Sequence, residues 1–481
     1  MSFHVLLFVF IVYILFLFLI SWITSRKAGE KTFYTGNRQS PWYIVAYGMI
    51  GASLSGVTFL SEPGWIGKTQ FSYMMVVFGY VVGYAAIALI LLPLYYRLNL
   101  TSIYTYLEQR FGNFTYKTGA SFFILSRTVG AALRLFLVVF VLDSFVFKPL
   151  SIPFWSVALI FVLIILLYSF KGGIRTIVWT DTLQTTFMLL SVAITICFIC
   201  KSLGWSFTGM LSAVRQSDYS TIMVYEWTDP RFFLKQFFSG IFISIAMTGL
   251  DQDMMQKNLS CRNLHAAQKN MFTFSFILVA VNIMFLLLGA VLYLYADANN
   301  IVAASSDELF AEISINHLGY LAATVFFVGL IAAAWTSADG ALTALTTSFC
   351  IDIIGLEKVF SAKRKLRIRY AVHFSFALLF LFIIIQFKQF YNKAIIDQFF
   401  IIAGYTYGPL LGLYSFGLFT RYKVRDRAVP VIAIASPIIV YILDCNSVQW
   451  FNGYQFGFEL LIVNGLITFT GLWLYRLEKY V

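Results

Sequence analysis

The sequence predicts an all-α polytopic membrane protein of about 13 transmembrane helices, on three observations. Of its 481 residues, 60% are hydrophobic and only 12% charged. That is more apolar surface than a water-soluble chain of this length can bury, and the kind of surface that lipid accepts. The apolar residues also fall into thirteen runs of about 17–25 residues, each long enough to cross a hydrocarbon layer of about 30 Å. Finally, the basic residues alternate. With the N-terminus outside and the C-terminus in the cytoplasm, the inner loops collect Arg26, Lys27, Lys31 and Arg38; Arg97, Arg110 and Lys117; Lys257, Arg262 and Lys269; Lys363, Arg364, Lys365, Arg367 and Arg369; and Arg421, Lys423, Arg425 and Arg427. This asymmetry is the positive-inside pattern, and it accounts for the net charge of +12 without any nucleic acid as partner.

The runs are read as one transmembrane domain over 1–481, in an inner (cytoplasmic) membrane. The first, 3–24, is too long and too aromatic for a cleaved signal peptide, so it is taken as a helix peripheral to the core. Two sets of five follow, within about 41–200 and 232–420, and two extra helices lie within 429–475. Cys197 and Cys200 form a CxxC inside an apolar helix and are assigned to packing. The four histidines (4, 265, 317, 373) fall near span ends and are read as interfacial. No nucleophile–base pair is visible, so no enzymatic activity is expected.

The second run contains "MIGASLSGVTF" (49–59), rich in small and hydroxylated residues. Unwinding around Gly51–Gly56 would free backbone carbonyls and expose two half-helix ends at mid-membrane. Carbonyls there suit a cation, and a helix N-terminus suits an anion. The seventh run offers a second soft point at "AMTGLDQDMM", with Gly249 followed by Asp251 and Asp253. Breaks five helices apart, in helices of opposite direction, are the signature of a 5+5 inverted repeat with two broken helices.

Charges at membrane depth are costly and face a cavity or a partner. Arg127 and Arg134 on the fourth span, Asp181 on the sixth, Asp251 and Asp253 on the seventh and Asp339 on the ninth are in that position. The arginines are seven apart and share a helix face; Asp339, Asp251 or an anionic ligand would balance them. On the ninth span Ala333, Thr336, Ser337 and Gly340 share a face, where small residues permit close packing and the hydroxyls offer hard oxygen ligands.

These segments resemble the sodium:solute symporter family, whose fold is LeuT-like. The resemblance covers nearly the whole chain and rests on "GASLSGVTFLSEPG", "SFKGGIRTIVWTDTLQ", "GLDQDMMQKNLSCRNLHAAQKN", "AAAWTSADGALTALTTSFCIDI" and "AGYTYGPLLGLYSFGLF". It implies a main sodium (Na⁺) site on the Gly51, Leu54 and Ala333 carbonyls and the Thr336 and Ser337 hydroxyls. Asp181 matches an aspartate that some relatives use for a further sodium ion or its exit. The resemblance places substrate beside Ser53, Ser55 and Thr58, with Ser244 opposite. Sialic acid symporters of the family add an arginine of the fourth span; Arg127 is the preferred match and Arg134 the alternative. Tyr405 and Tyr407 in "GYTYGP" are candidate gate residues, or an aromatic packing stripe. The expected function is sodium-driven import of a small organic solute, with an anionic sugar acid or another carboxylate ahead of a neutral sugar or amino acid. The transporter is expected to work as a monomer in the lipid bilayer. A channel or solute sensor on the same scaffold is the reading from another class; no output domain is visible after residue 476 to support a sensor.

Overall fold

The computed structural model describes residues 3–25, 33, 36–356, 361–390 and 395–479. Arg26, Lys27 and Lys31 of the basic side lie outside those residues, as do the side chains of His4 and Ser337.

Each apolar run falls on helix. In chain order, α1 spans Phe3–Ser25, α2 Trp42–Ser53, α3 Gly56–Thr69, α4 Tyr73–Ala86 and α5 Asn113–Leu142. The fifth and sixth runs form one long element, α6, over Phe154–Ser202, bent where Gly173 takes a φ of 53°. Then come α7 (Phe233–Ser244), α8 (Gln252–Leu259), α9 (Leu264–Asn299), α10 (Tyr320–Ser348), α11 (Ala362–Phe390), α12 (Ile395–Phe419), α13 (Val429–Cys445) and α14 (Leu460–Leu474). A short antiparallel pair, β1 (Tyr422–Val424) with β2 (Arg476–Lys479), ties the segment after α12 to the segment after α14. Among the described residues nine stretches are long and apolar enough to cross a membrane, and ten if the bent α7–α8 pair counts as one span.

Both expected breaks are present. α2 stops at Ser53, Leu54 and Ser55 are extended (φ −82°, ψ 117° and φ −113°, ψ −176°), and α3 begins at Gly56. In the second half, a wide turn over Ile245–Gly249 ends α7, Asp251 is extended, and α8 leaves at 67°. The halves meet through helix backbones. A Cβ on Gly79 of α4 would clash with the Phe237 carbonyl of α7, and a Cβ on Gly240 of α7 with the Val76 carbonyl of α4. Such contact needs glycine on both helices.

Two expectations are corrected. His373 is not interfacial: it is 1% exposed, and its ring nitrogens bond to Ser169 Oγ (3.0 Å) and Thr346 Oγ1 (2.8 Å), joining α11 to α6 and α10. Cys197 is a free, exposed thiol rather than a packed one.

Candidate functional site

The break between α2 and α3 opens onto a cavity. Ser53, Ser55 and Thr58 line it from the break, and Ser244 faces them from α7. The Ser244 hydroxyl also donates to the Ile241 carbonyl at 2.9 Å. Both arginines of α5 reach the same cavity, with Asn282 of α9, tyrosines of α4 and Phe399 and Phe400 of α12 completing the wall.

The two arginines have different company. Arg127 donates to Asp253 Oδ2, and its Nη1 lies 3.8 Å from Asp251 Oδ2. The Tyr407 hydroxyl donates to that same Asp251 oxygen at 2.6 Å, while Asp251 Oδ1 caps α8 by accepting from the Met254 N–H at 3.1 Å. Lys257 extends the network: its ammonium is 2.9 Å from Asp181 Oδ2 and 3.5 Å from Asp253 Oδ1. The Arg127 charge is thus balanced by protein carboxylates, and a ligand would have to compete with them. Of the two aspartates expected as alternatives, Asp251 is the one beside Arg127; Asp339 accepts from the Tyr168 hydroxyl and from the Gly340 N–H, each at 2.6 Å.

Arg134 is different. It is 7% exposed, its guanidinium lies over the Phe399 ring at 4.5 Å, and its Nε has no hydrogen-bond partner. Among the described residues it makes no ion pair.

The tyrosine pair is separated. Tyr407 is buried at the Asp251 end of the network, whereas Tyr405 donates to Asp444 of α13 at 2.9 Å and is not among the residues lining the cavity. Adjacent odd positions of a helix point about 200° apart, so the two cannot share one gate surface.

Behind the cavity, the α2 break meets α6 and α10. Ending α2 at Ser53 leaves its last carbonyls without intrahelical partners; only Ile50 O takes the Leu54 N–H, at 2.7 Å. Gly51 packs directly on Thr185 of α6 and Thr336 of α10, with no room for a side chain. The Thr336 hydroxyl donates to the Ala333 carbonyl at 3.2 Å. The end of α2 is therefore packed against the stretch of α10 that carries the Ala333 carbonyl and the Thr336 hydroxyl.

Two charged residues escaped the sequence reading because both stand at the ends of apolar runs. Lys257, assigned above to an inner loop, is 1% exposed. Glu62 is 2% exposed and lines the cavity. Its position one turn after Thr58, on the same face of α3, was the available signal.

A family model described as sodium:solute symporter family matches residues 33–426. The chain belongs to that family. The symporter is 24% identical to a sodium/sialic acid symporter of Aliivibrio fischeri, over 92% of this chain and 88% of the relative. Among solved structures it is similar to the substrate-bound outward-open state of a Na⁺-coupled sialic acid symporter. That match has a TM-score of 0.83 at 19% identity, over 97% of this chain and 96% of the other. A nucleobase-cation-symport-1 family transporter, closed around bromovinylhydantoin, matches with a TM-score of 0.54 at 12% identity, over 92% and 93%. These likenesses give the symporter its LeuT-like fold. It is a multi-pass membrane transporter that couples movement of a small solute to sodium.

Proposed function

We propose that the symporter imports a small organic solute bearing a carboxylate, of the sugar-acid kind represented by sialic acid, and that Arg134 rather than Arg127 holds that carboxylate. One observation carries the assignment: Arg134 is a buried guanidinium facing the cavity that makes no ion pair with a carboxylate among the described residues. A guanidinium stays charged in proteins, presents a planar fork that matches a carboxylate, and is costly to bury unpaired. Ser53, Ser55, Thr58 and Ser244 supply hydroxyls to the rest of the molecule. The names of the relatives above support the same solute class.

The main sodium ion takes the Gly51, Leu54 and Ala333 carbonyls with the Thr336 and Ser337 hydroxyls. Sodium entering there joins α2 to α10 and favours the solute-binding form; solute must tighten sodium binding by the same factor. The bundle then rocks inward and exposes both sites to the other side. Asp181 faces Lys257 and acts in sodium release. The peripheral α1, the two C-terminal helices, the N-out and C-in orientation in an inner membrane and action as a monomer within lipid complete the proposal.

Arg134→Lys tests it. The charge stays but the bidentate geometry goes, and solute affinity should fall about 10–150-fold, the range for one charge-assisted hydrogen bond. Tight binding of a neutral sugar, unchanged in the variant and resistant to competition by any acid, would overturn the reading.

A further inference from the structure

The cavity holds a second charge that the reading above does not use. Glu62 is 2% exposed, and its Oε1 has no hydrogen-bond partner. Among the described residues no lysine, arginine or histidine forms an ion pair with it. The nearby hydroxyls of Tyr73 and Tyr80 bond to each other at 2.9 Å. Leaving a carboxylate buried without donors is expensive, and such a group persists where an occupant completes it.

Glu62 is also set apart from Arg134. A Cβ on Gly56 would sit 3.0 Å from the Arg134 carbonyl, so the α5 backbone at Arg134 crosses the start of α3. Glu62 lies six residues further along α3, roughly 9 Å at 1.5 Å per residue. The cavity is therefore lined by a guanidinium and a carboxyl, neither in an ion pair among the described residues, whose backbone positions are offset along α3, with hydroxyls at the break.

We propose that Glu62 determines specificity at the end of the solute remote from its carboxylate: the symporter selects carboxylates that also carry N–H or O–H donors, cationic or neutral, about the length of a sugar ring away. This rests on the assignment of Arg134 to the carboxylate. The carboxylate of Glu62 accepts from those donors, and acids with an apolar far end are rejected because they leave it dry and unpaired.

The experiment measures sodium-dependent binding to the purified full-length protein for three acids. These are sialic acid; the same sugar acid with its acetyl group removed to leave an ammonium; and cyclohexanecarboxylate, which has no donor. Wild type should bind one or both sugar acids and reject cyclohexanecarboxylate. Glu62→Gln keeps the shape and an acceptor oxygen but removes the charge. It should weaken the preferred sugar acid about 10–150-fold and narrow the gap to cyclohexanecarboxylate. A larger loss for the ammonium form identifies a cationic donor; a larger loss for sialic acid identifies neutral ones. Arg134→Lys should weaken every sugar acid that the wild type binds without narrowing the gap to cyclohexanecarboxylate, so a failure of the carboxylate assignment reads out separately. If Glu62→Gln and Glu62→Ala both fold and bind the three acids as wild type does, or lose the sugar acids while still rejecting cyclohexanecarboxylate as strongly relative to them, the inference falls.

Discussion

The symporter breaks two helices, and the two breaks are furnished in opposite ways. At α2–α3 the chain supplies Gly51, Ser53, Ser55 and Gly56, and the two serines line the cavity. At α7–α8 the chain fills the break with its own charges. Asp251 caps α8 and accepts from Tyr407, and Asp253 holds Arg127 and Lys257. The same backbone device lines the cavity in one half and forms a clasp joining α5, α8 and α12 in the other. Irregular backbone inside a membrane must be satisfied by something; sequence chooses whether that is cargo or protein.

The largest effect expected from disturbing this contrast is on the clasp. Asp253→Asn takes out the carboxylate shared by Arg127 and Lys257, leaving Arg127 with Asp251 at 3.8 Å and Lys257 with Asp181, and breaking two buried pairs at once should cost about 3–5 kcal/mol. A thermal unfolding assay in detergent should show it with sodium present or absent. A variant with normal stability but lost sodium response would move Asp253 from clasp to ligand site. Tyr407→Phe removes one charge-assisted bond and should cost about 1.5–3 kcal/mol. Tyr405→Phe, at a half-buried contact with Asp444, should cost less than about 1 kcal/mol. Equal losses in the two would erase the distinction drawn between them. The smallest change in stability belongs to the open break. Thr336→Ala should leave folding nearly intact while raising the sodium concentration for half-maximal uptake about tenfold or more, for roughly 1.4 kcal/mol of lost ligation. Unaltered sodium dependence would remove Thr336 from the site.

Much of this was legible in the sequence, for identifiable reasons. Apolar runs announce helices because lipid imposes their length, and Gly51–Gly56 and Gly249–Asp251 announce breaks because small and acidic residues are poor occupants of a membrane helix. Partners were not legible. The seven-residue spacing of Arg127 and Arg134 states that they share a face of α5. It also puts them about 10 Å apart along the axis, and only the folded chain shows that both reach the cavity while Arg127 alone meets Asp253. Glu62 and Lys257 hid at run ends, where a charge is ordinarily assigned to water. His373 hid likewise, because the turns of α11 before it are basic while its own turn is packed between α6 and α10. Ser337 and Asp181 remain proposals in their roles.

The reciprocal glycines, Gly79 and Gly240, bear on how the two breaks communicate. Where two helices touch backbone to backbone, no side chain lies between them to repack, and a small tilt of one is inherited by the other. α4 follows the break at α2–α3 in the chain, and α7 runs directly into the break at α7–α8. The glycine contact thus acts as a shared axle: whatever occupies the open break works against the clasp through a joint that has almost no play.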